Sequence, residues 1–212
     1  MIFAPCDDDP VLISQVTIAN HHSSEVKLRW VEYWGCQPHQ FSHRSFIESF
    51  SGKNTSEMRR DFGERFAHHF RIIENNSGLF ETKEFLGRSP AEEAQWQAML
   101  EYLRTNPHPF VTVPADDAPT QAAFDDLDPP PTFLVSLDAP AEGLSTNGKE
   151  FFGAGGVSHP TGLDRELDGD LSTNGPASAL LLERSFTLAP GARAERLFFF
   201  TATCPKEPTH TR

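Results

Sequence analysis

Cysteine is scarce in this sequence of 212 residues, which contains only Cys6, Cys36 and Cys204. An odd number of widely spaced cysteines indicates neither a disulfide framework nor a zinc-binding pattern. The longest apolar runs, around 179–182 and 197–200, are far shorter than the ~20 residues of a membrane helix. The N-terminus lacks the basic and apolar regions of a signal peptide. We therefore expect a cytoplasmic protein with no membrane-spanning segment.

Positive charge is also in short supply, with 18 Lys and Arg against 30 Asp and Glu and a net charge of −12. A nucleic-acid-binding protein needs a cationic face to displace counterions from the phosphates, and an anionic membrane attracts the same kind of face. Neither nucleic acid nor a membrane is therefore an expected partner. Phenylalanine, by contrast, is abundant, with 18 residues, and aromatic side chains suit the core of a sheet.

Alternation of apolar and polar residues predicts a mostly β chain. Val26, Leu28 and Trp30 alternate with Lys27 and Arg29, which is the period of two typical of a strand with one wet face. After Trp30 this alternation breaks, which indicates a bulge or burial on both faces. Similar runs, separated by turn residues, predict hairpins that join 11–19 to 26–34, 66–75 to 79–85 and 179–188 to 192–203, and a strand over 132–138. The pattern favours an antiparallel β-sandwich.

One amphipathic helix interrupts the strands. Ser89 and Pro90 are typical of a helix start, and apolar residues follow at helical spacing, namely Trp96, Met99, Leu100 and Leu103. The predicted helix covers about 89–105, and a Pro- and Asp-rich excursion follows over 106–131. We predict a single β-sandwich domain over 1–204, with 205–212 as the start of a linker or tail.

The aromatic residues of the second strand have two interpretations. Alternation places Trp30 and Trp34 on one face with Val26 and Leu28, which predicts that they belong to the core. The alternative is a sugar-stacking platform formed by Trp30, Tyr33 and Trp34.

Several clusters of carboxylates, glycines or histidines resemble ligand or metal sites, but their sequence context favours structural roles. Four carboxylates crowd one loop, and we interpret them as a solvated loop, with a calcium site as the alternative; they are Asp164, Glu166, Asp168 and Asp170. The glycines of 153–158 do not match a nucleotide-binding loop, because a serine stands at the third glycine position. His39 and His43 have zinc-like spacing without a helical period. His68 and His69 should point to opposite faces of a strand. No catalytic residue, metal ligand or cofactor site is predicted.

Two stretches carry a family resemblance. The first is Asp9–Asn20 followed by Glu32-Tyr33, and the second is Glu150–Gly156 followed by Pro160–Leu163 and by Leu188-Ala189-Pro190-Gly191. Their order resembles the N-terminal supersandwich domain of glycoside hydrolase family 94, formerly glycosyltransferase family 36. This is the group of cellobiose phosphorylase and cyclic β-glucan synthase. The resemblance covers most of 9–203 and implies a galactose-mutarotase-like β-sandwich.

The resemblance also implies a function. Family members split β-glycosidic bonds with inorganic phosphate or process glucans, and their catalytic acid lies in a following (α/α)₆ barrel. The chain would then be a non-catalytic domain, either a fragment or a stand-alone remnant, inactive alone. Its partners would be that barrel, an oligosaccharide or β-glucan, and a second subunit in a homodimer. In some members a loop of this domain touches sugar in the neighbouring subunit, and Arg44 and His43 stand at the corresponding positions.

Two alternatives remain beside the enzyme domain. One is a free-standing carbohydrate-binding or scaffolding β-sandwich module. The other is an unrelated enzyme whose site the sequence does not reveal.

Overall fold

The computed structural model describes residues 2–3, 11–35, 66–87, 89–107, 131–172 and 179–202. The predicted loop over 36–65 and the Pro-rich segment over 108–130 lie outside these ranges. Nine strands and two α-helices fall within them: β1 (Ile2–Phe3), β2 (Val11–Ala19), β3 (Val26–Gly35), β4 (Phe66–Ile73), β5 (Gly78–Phe85), α1 (Pro90–Thr105), β6 (Thr132–Ser136), β7 (Gly143–Ser145), α2 (Gly148–Phe152), β8 (Ala179–Leu188) and β9 (Arg193–Ala202). In these ranges no helix combines the length and apolar character needed to cross a membrane.

The strands form two sheets. The six-stranded sheet has the order β1-β2-β9-β6-β5-β4, and the three-stranded sheet has the order β3-β8-β7. The pairs β2–β9, β6–β9 and β5–β6 are antiparallel in the first sheet, and β3–β8 and β7–β8 are antiparallel in the second. The prediction of a β-rich chain built from antiparallel sheets is confirmed.

Two of the three predicted hairpins are wrong. β2 pairs with β9, and β3 pairs with β8, so each supposed hairpin has its two strands in different sheets. The connections 20–25 and 189–192 are arches that cross between the sheets. Asn20 ties them together, since its Nδ2 donates to the carbonyls of Ser24 at 2.8 Å and Leu188 at 2.9 Å, and its carbonyl accepts from the amide of Gly191 at 3.0 Å. The third predicted hairpin is correct, because β4 and β5 are neighbours in one sheet.

A single hydrophobic cluster takes side chains from both sheets. Its buried members from the six-stranded sheet are Val16, Leu79, Leu134 and Phe198, and those from the three-stranded sheet are Leu144, Leu180, Leu182, Phe186 and Leu188. Alternate residues of β8 point into this cluster, as the period of two requires. Burial of this apolar area is the main favourable term in the stability of the fold.

The opposite face of β8 is also covered, by the segment 148–168. Phe151 is buried with Ala179 and Leu181, and Val31 of β3 packs against this second cluster. Gly162 permits this packing, because a Cβ atom there would clash with the Phe151 ring and would lie 2.9 Å from its backbone. β3 pairs with β8 over ten residues in unbroken register, so a bulge does not explain the break in alternation after Trp30. The apolar residues after Trp30 are only partly covered on this face, since Val31 packs against the second cluster and Tyr33, although exposed, contacts Phe152 edge-on.

The chain divides into two compact units. The first comprises Met1–Cys36, His68–Thr82 and Pro130–Arg212, and the second comprises Gln37–Ala67 and Lys83–Pro129. Helix α1 belongs to the second unit and spans the predicted range. Its Trp96 and Leu100 are buried and pack with Met99 and Leu103, which confirms the amphipathic pattern.

Candidate functional site

A groove lies between β2 and β3, at the edge of the three-stranded sheet. Its volume is about 660 Å³, and it is lined by residues 14–18 of β2 and 30–35 of β3. β3 is the last strand of its sheet and, within the described ranges, pairs with β8 alone. The two lining strands therefore belong to different sheets, and no described strand pairs with the free edge of β3. We call this space the β2–β3 groove.

Aromatic side chains give the groove its apolar surface. Trp30 is 37% exposed, and its Nε1 donates a hydrogen bond of 2.9 Å to Oε2 of Glu32. Trp34 stacks on Phe200 with the ring centroids 4.3 Å apart and the planes 6° apart. Trp34 thus anchors the groove to the core, while Trp30 presents part of its indole to solvent.

The prediction that both tryptophans belong to the core holds for Trp34 alone. Trp30 and Leu28 share its parity but are 37% and 39% exposed. β3 is the edge strand of its sheet, and among the described strands none lies beside its free edge to shield these side chains laterally. The alternative interpretation, an accessible aromatic surface, describes Trp30 better. Tyr33 is 41% exposed and packs edge-on against Phe152 at 5.0 Å.

The polar part of the groove lining contains hydroxyl, amide and carboxylate groups. Ser14, Gln15 and Thr17 come from β2, and Glu32 comes from β3. Glu32 is only 7% exposed and Ser14 only 5%. A concave surface that combines aromatic side chains with a few fixed polar groups is typical of a ligand site.

A second polar arrangement is buried in the six-stranded sheet. Nδ1 of His68 lies 2.6 Å from Oε1 of Glu81, and both side chains are almost fully buried. Oε2 of Glu81 accepts a hydrogen bond from the hydroxyl of Thr132. Nε2 of His68 has no hydrogen-bond partner in the described part of the chain. A carboxylate that orients a histidine is an arrangement used in acid–base catalysis, but this pair is buried and does not line the groove.

Two of the four loop carboxylates, Asp168 and Asp170, accept local hydrogen bonds. Asp170 accepts hydrogen bonds from Nδ2 of Asn147 at 2.9 Å and from the amide of Ser172 at 2.8 Å. Glu150 forms an ion pair of 2.6 Å with Arg165. Among the residues with described positions, no group of three or more His, Cys, Asp or Glu side chains could hold a metal ion. These contacts support the interpretation of a solvated, hydrogen-bonded loop.

The hydrogen bond from Asn147, reinforced by the Ser172 amide, holds the pKa of Asp170 below its ordinary value. Because the folded-state pKa is depressed, this carboxyl stabilises the fold above its unfolded-state pKa, and the contribution is lost as the pH falls through the folded-state pKa. We expect an NMR titration of the side-chain carboxyl carbon to give a pKa below 3.8, and Asn147→Ala to raise it. An unchanged pKa in that variant would contradict the assigned cause.

Three of the remaining predicted site residues lie outside the described ranges, and the others are histidines on two different elements. Arg44, His43 and His39 lie outside those ranges. His21 and His22 are exposed on the arch after β2. His68 is buried and His69 is exposed, which confirms that they point to opposite faces of β4.

Sequence reasoning missed Glu32 and the His68–Glu81 pair. A signal for Glu32 was present, because a carboxylate stands on the same parity as Trp30 and Trp34 in an otherwise apolar row. Nothing comparable marked the pair of His68 with Glu81, since their contact depends on the alignment of β4 with β5.

Comparison with known proteins leaves the family open. No protein-family model matches the sequence, and no curated protein matches it.

Proposed function

We propose that this chain is a non-catalytic β-sandwich domain of a carbohydrate-processing enzyme, and that its β2–β3 groove binds an oligosaccharide. The single observation that carries the proposal is the half-exposed indole of Trp30 at the groove, with its Nε1 held by Glu32 at 2.9 Å. Sugar rings pack their apolar faces on flat aromatic side chains, and a ring fixed before binding loses less entropy on complex formation.

The polar lining suits the same ligand. Sugar hydroxyls both donate and accept hydrogen bonds, and the lining supplies hydroxyls from Ser14 and Thr17 and a carboxylate from Glu32. A hydrogen bond to a charged acceptor is about twice as strong as a neutral one. The combination of an aromatic surface with these groups supports binding of a chain of sugar residues along the two strands.

The domain's place in a larger enzyme follows from the family resemblance. We propose a supersandwich of the galactose-mutarotase-like type that supports an (α/α)₆ catalytic barrel, in a cytoplasmic enzyme acting on β-glucan with inorganic phosphate as a co-substrate. Glycoside inversion needs an acid facing a base or a phosphate. Glu32 is the one carboxylate that lines the groove, which supports binding without catalysis. We also propose that Arg44 and His43 contact a sugar bound in the neighbouring subunit of a homodimer.

Calorimetry with cellohexaose tests the groove. The purified chain should bind the oligosaccharide, and Trp30→Ala should weaken binding by about tenfold or more, as expected for an aromatic anchor. Tyr102→Ala is the matched control, since Tyr102 is a 63% exposed aromatic residue on α1, and its removal should leave affinity unchanged. Circular dichroism confirms that both variants fold.

Failure would take one of two forms. Equal affinity of wild type and Trp30→Ala would refute the groove as the binding site. Absence of binding to cellohexaose, laminarihexaose and other neutral oligosaccharides would refute the binding function and leave a purely supporting or scaffolding domain.

A further inference from the structure

The charge of the β2–β3 groove comes from one side chain. Glu32 is the sole charged residue among those that line the groove, all of which lie in the described ranges. It is 7% exposed. Its Oε2 accepts the hydrogen bond from Nε1 of Trp30. Its Oε1 accepts no hydrogen bond from any described residue. Glu32 lines the groove, and as far as the described residues go, one of its carboxylate oxygens is available to a ligand.

Two of the described arginines on the strands of the three-stranded sheet are already paired. Arg29 of β3 forms an ion pair of 2.9 Å with Glu183, on the opposite parity from Glu32. Arg184 is paired in register with Trp30, but its guanidinium contacts Asp138 at 3.2 Å.

Two further cations near these strands do not offset Glu32. Arg196 is paired in register with Val16, and its Nε lies 3.6 Å from Asp138. Lys27 is exposed on β3 but has the opposite parity from Glu32 and does not line the groove. Within the described ranges, therefore, no cation pairs with Glu32, and its negative charge lies in a partly desolvated setting.

We infer that Glu32 makes the groove select neutral glycans against chains that contain uronic acids, an inference that rests on the proposed function. A uronate would bring a second carboxylate beside Glu32, and none of the residues that line the groove is a cation that could pair with it. Like charges repel more strongly where water is partly excluded, and an unpaired charge in the wrong ligand is a common means of specificity. A neutral sugar would instead donate a hydroxyl hydrogen bond to Oε1.

The test compares two ligands of equal length and linkage. One is cellohexaose, and the other is the same hexamer with every C6 oxidised to a carboxylate. Calorimetry on the full chain should show at least about tenfold tighter binding of the neutral hexamer. Glu32→Gln removes the charge and keeps an oxygen to accept from Trp30, so it should reduce this preference by roughly three- to tenfold.

Glu74→Gln is the matched control. Glu74 is exposed directly after β4, the strand at the opposite end of the six-stranded sheet from β1 and β2, it does not line the groove, and its neutralisation changes the net charge of the chain by the same amount. The preference should persist in this variant. An equal loss of preference in both variants would assign the effect to overall charge, and an unchanged preference in Glu32→Gln would overturn the inference while neutral binding continued. If the wild-type chain did not bind the neutral hexamer at all, that result would instead refute the proposed function.

Discussion

Phe198→Ala is expected to lower the free energy of unfolding by about 3–5 kcal/mol, because truncation of a buried aromatic side chain removes its transfer free energy and leaves a cavity. Phe198 is fully buried in the hydrophobic cluster that draws on both sheets. Its neighbours in register, Ser14 and Ser136, are small and buried. They offer little side-chain volume to fill the space that the phenyl ring would vacate.

The adjacent Phe199 is the matched control for Phe198. It lies on the other face of the six-stranded sheet, is half-buried, and stands in register with Ile13 and Val135. The same substitution there should cost less than about 2 kcal/mol, because less apolar area is removed from contact. Urea denaturation measures both values. Equal losses at the two positions would contradict the assignment of the Phe198 face to the shared core.

Local signals in the sequence predicted the elements well. The cap residue Ser89, the proline at the first helical position and the spacing from Trp96 to Leu103 fixed α1, whose bounds are Pro90–Thr105. The paired asparagines of the turn between β4 and β5 also predicted a hairpin, and Asn75 and Asn76 both adopt positive φ, a conformation that asparagine tolerates. In these segments the determinants are near neighbours in sequence, so propensity and capping suffice.

Pairing between distant strands could not be predicted in the same way. Two alternating runs separated by a polar connection have the same pattern whether they form a hairpin or an arch. The choice was decided by partners far along the chain, since β2 pairs with β9 and β3 with β8. The buried amide of Asn20, bonded to the carbonyl of Leu188, is a tertiary contact that no local pattern displays.

The candidate site was missed for a related reason. Alternation correctly placed Trp30 on the same face as Trp34, and on that basis it assigned Trp30 to the core. Alternation does not say, however, whether that face is covered at the position of Trp30. β3 is the edge of a three-stranded sheet that shares its core with a six-stranded one. Within the described ranges the groove lies at this free edge of β3, and only the topology reveals that β3 is an edge strand.

Arg184→Met is expected to destabilise the fold by about 2–4 kcal/mol, because it removes a buried cation and leaves its polar partners without their donor. The side chain of Arg184 is 4% exposed. Its Nη1 donates to Ser136 Oγ at 2.5 Å and to the carbonyl of Ala139 at 2.9 Å, and the guanidinium meets both carboxylate oxygens of Asp138. The residue thereby fixes β8 to the connection after β6.

A double-mutant cycle isolates the ionic part of this contribution. Asp138→Asn alone should cost less than Arg184→Met, because Asp138 is 28% exposed and water partly replaces its partner. The two changes together should cost less than their sum, with a coupling energy of about 0.5–3 kcal/mol. Arg193→Met, at an exposed position of β9, should change stability by less than about 0.5 kcal/mol. Additive losses in the cycle would mean that Arg184 stabilises the fold through its bonds to Ser136 and Ala139 alone, and that Asp138 contributes nothing to its burial.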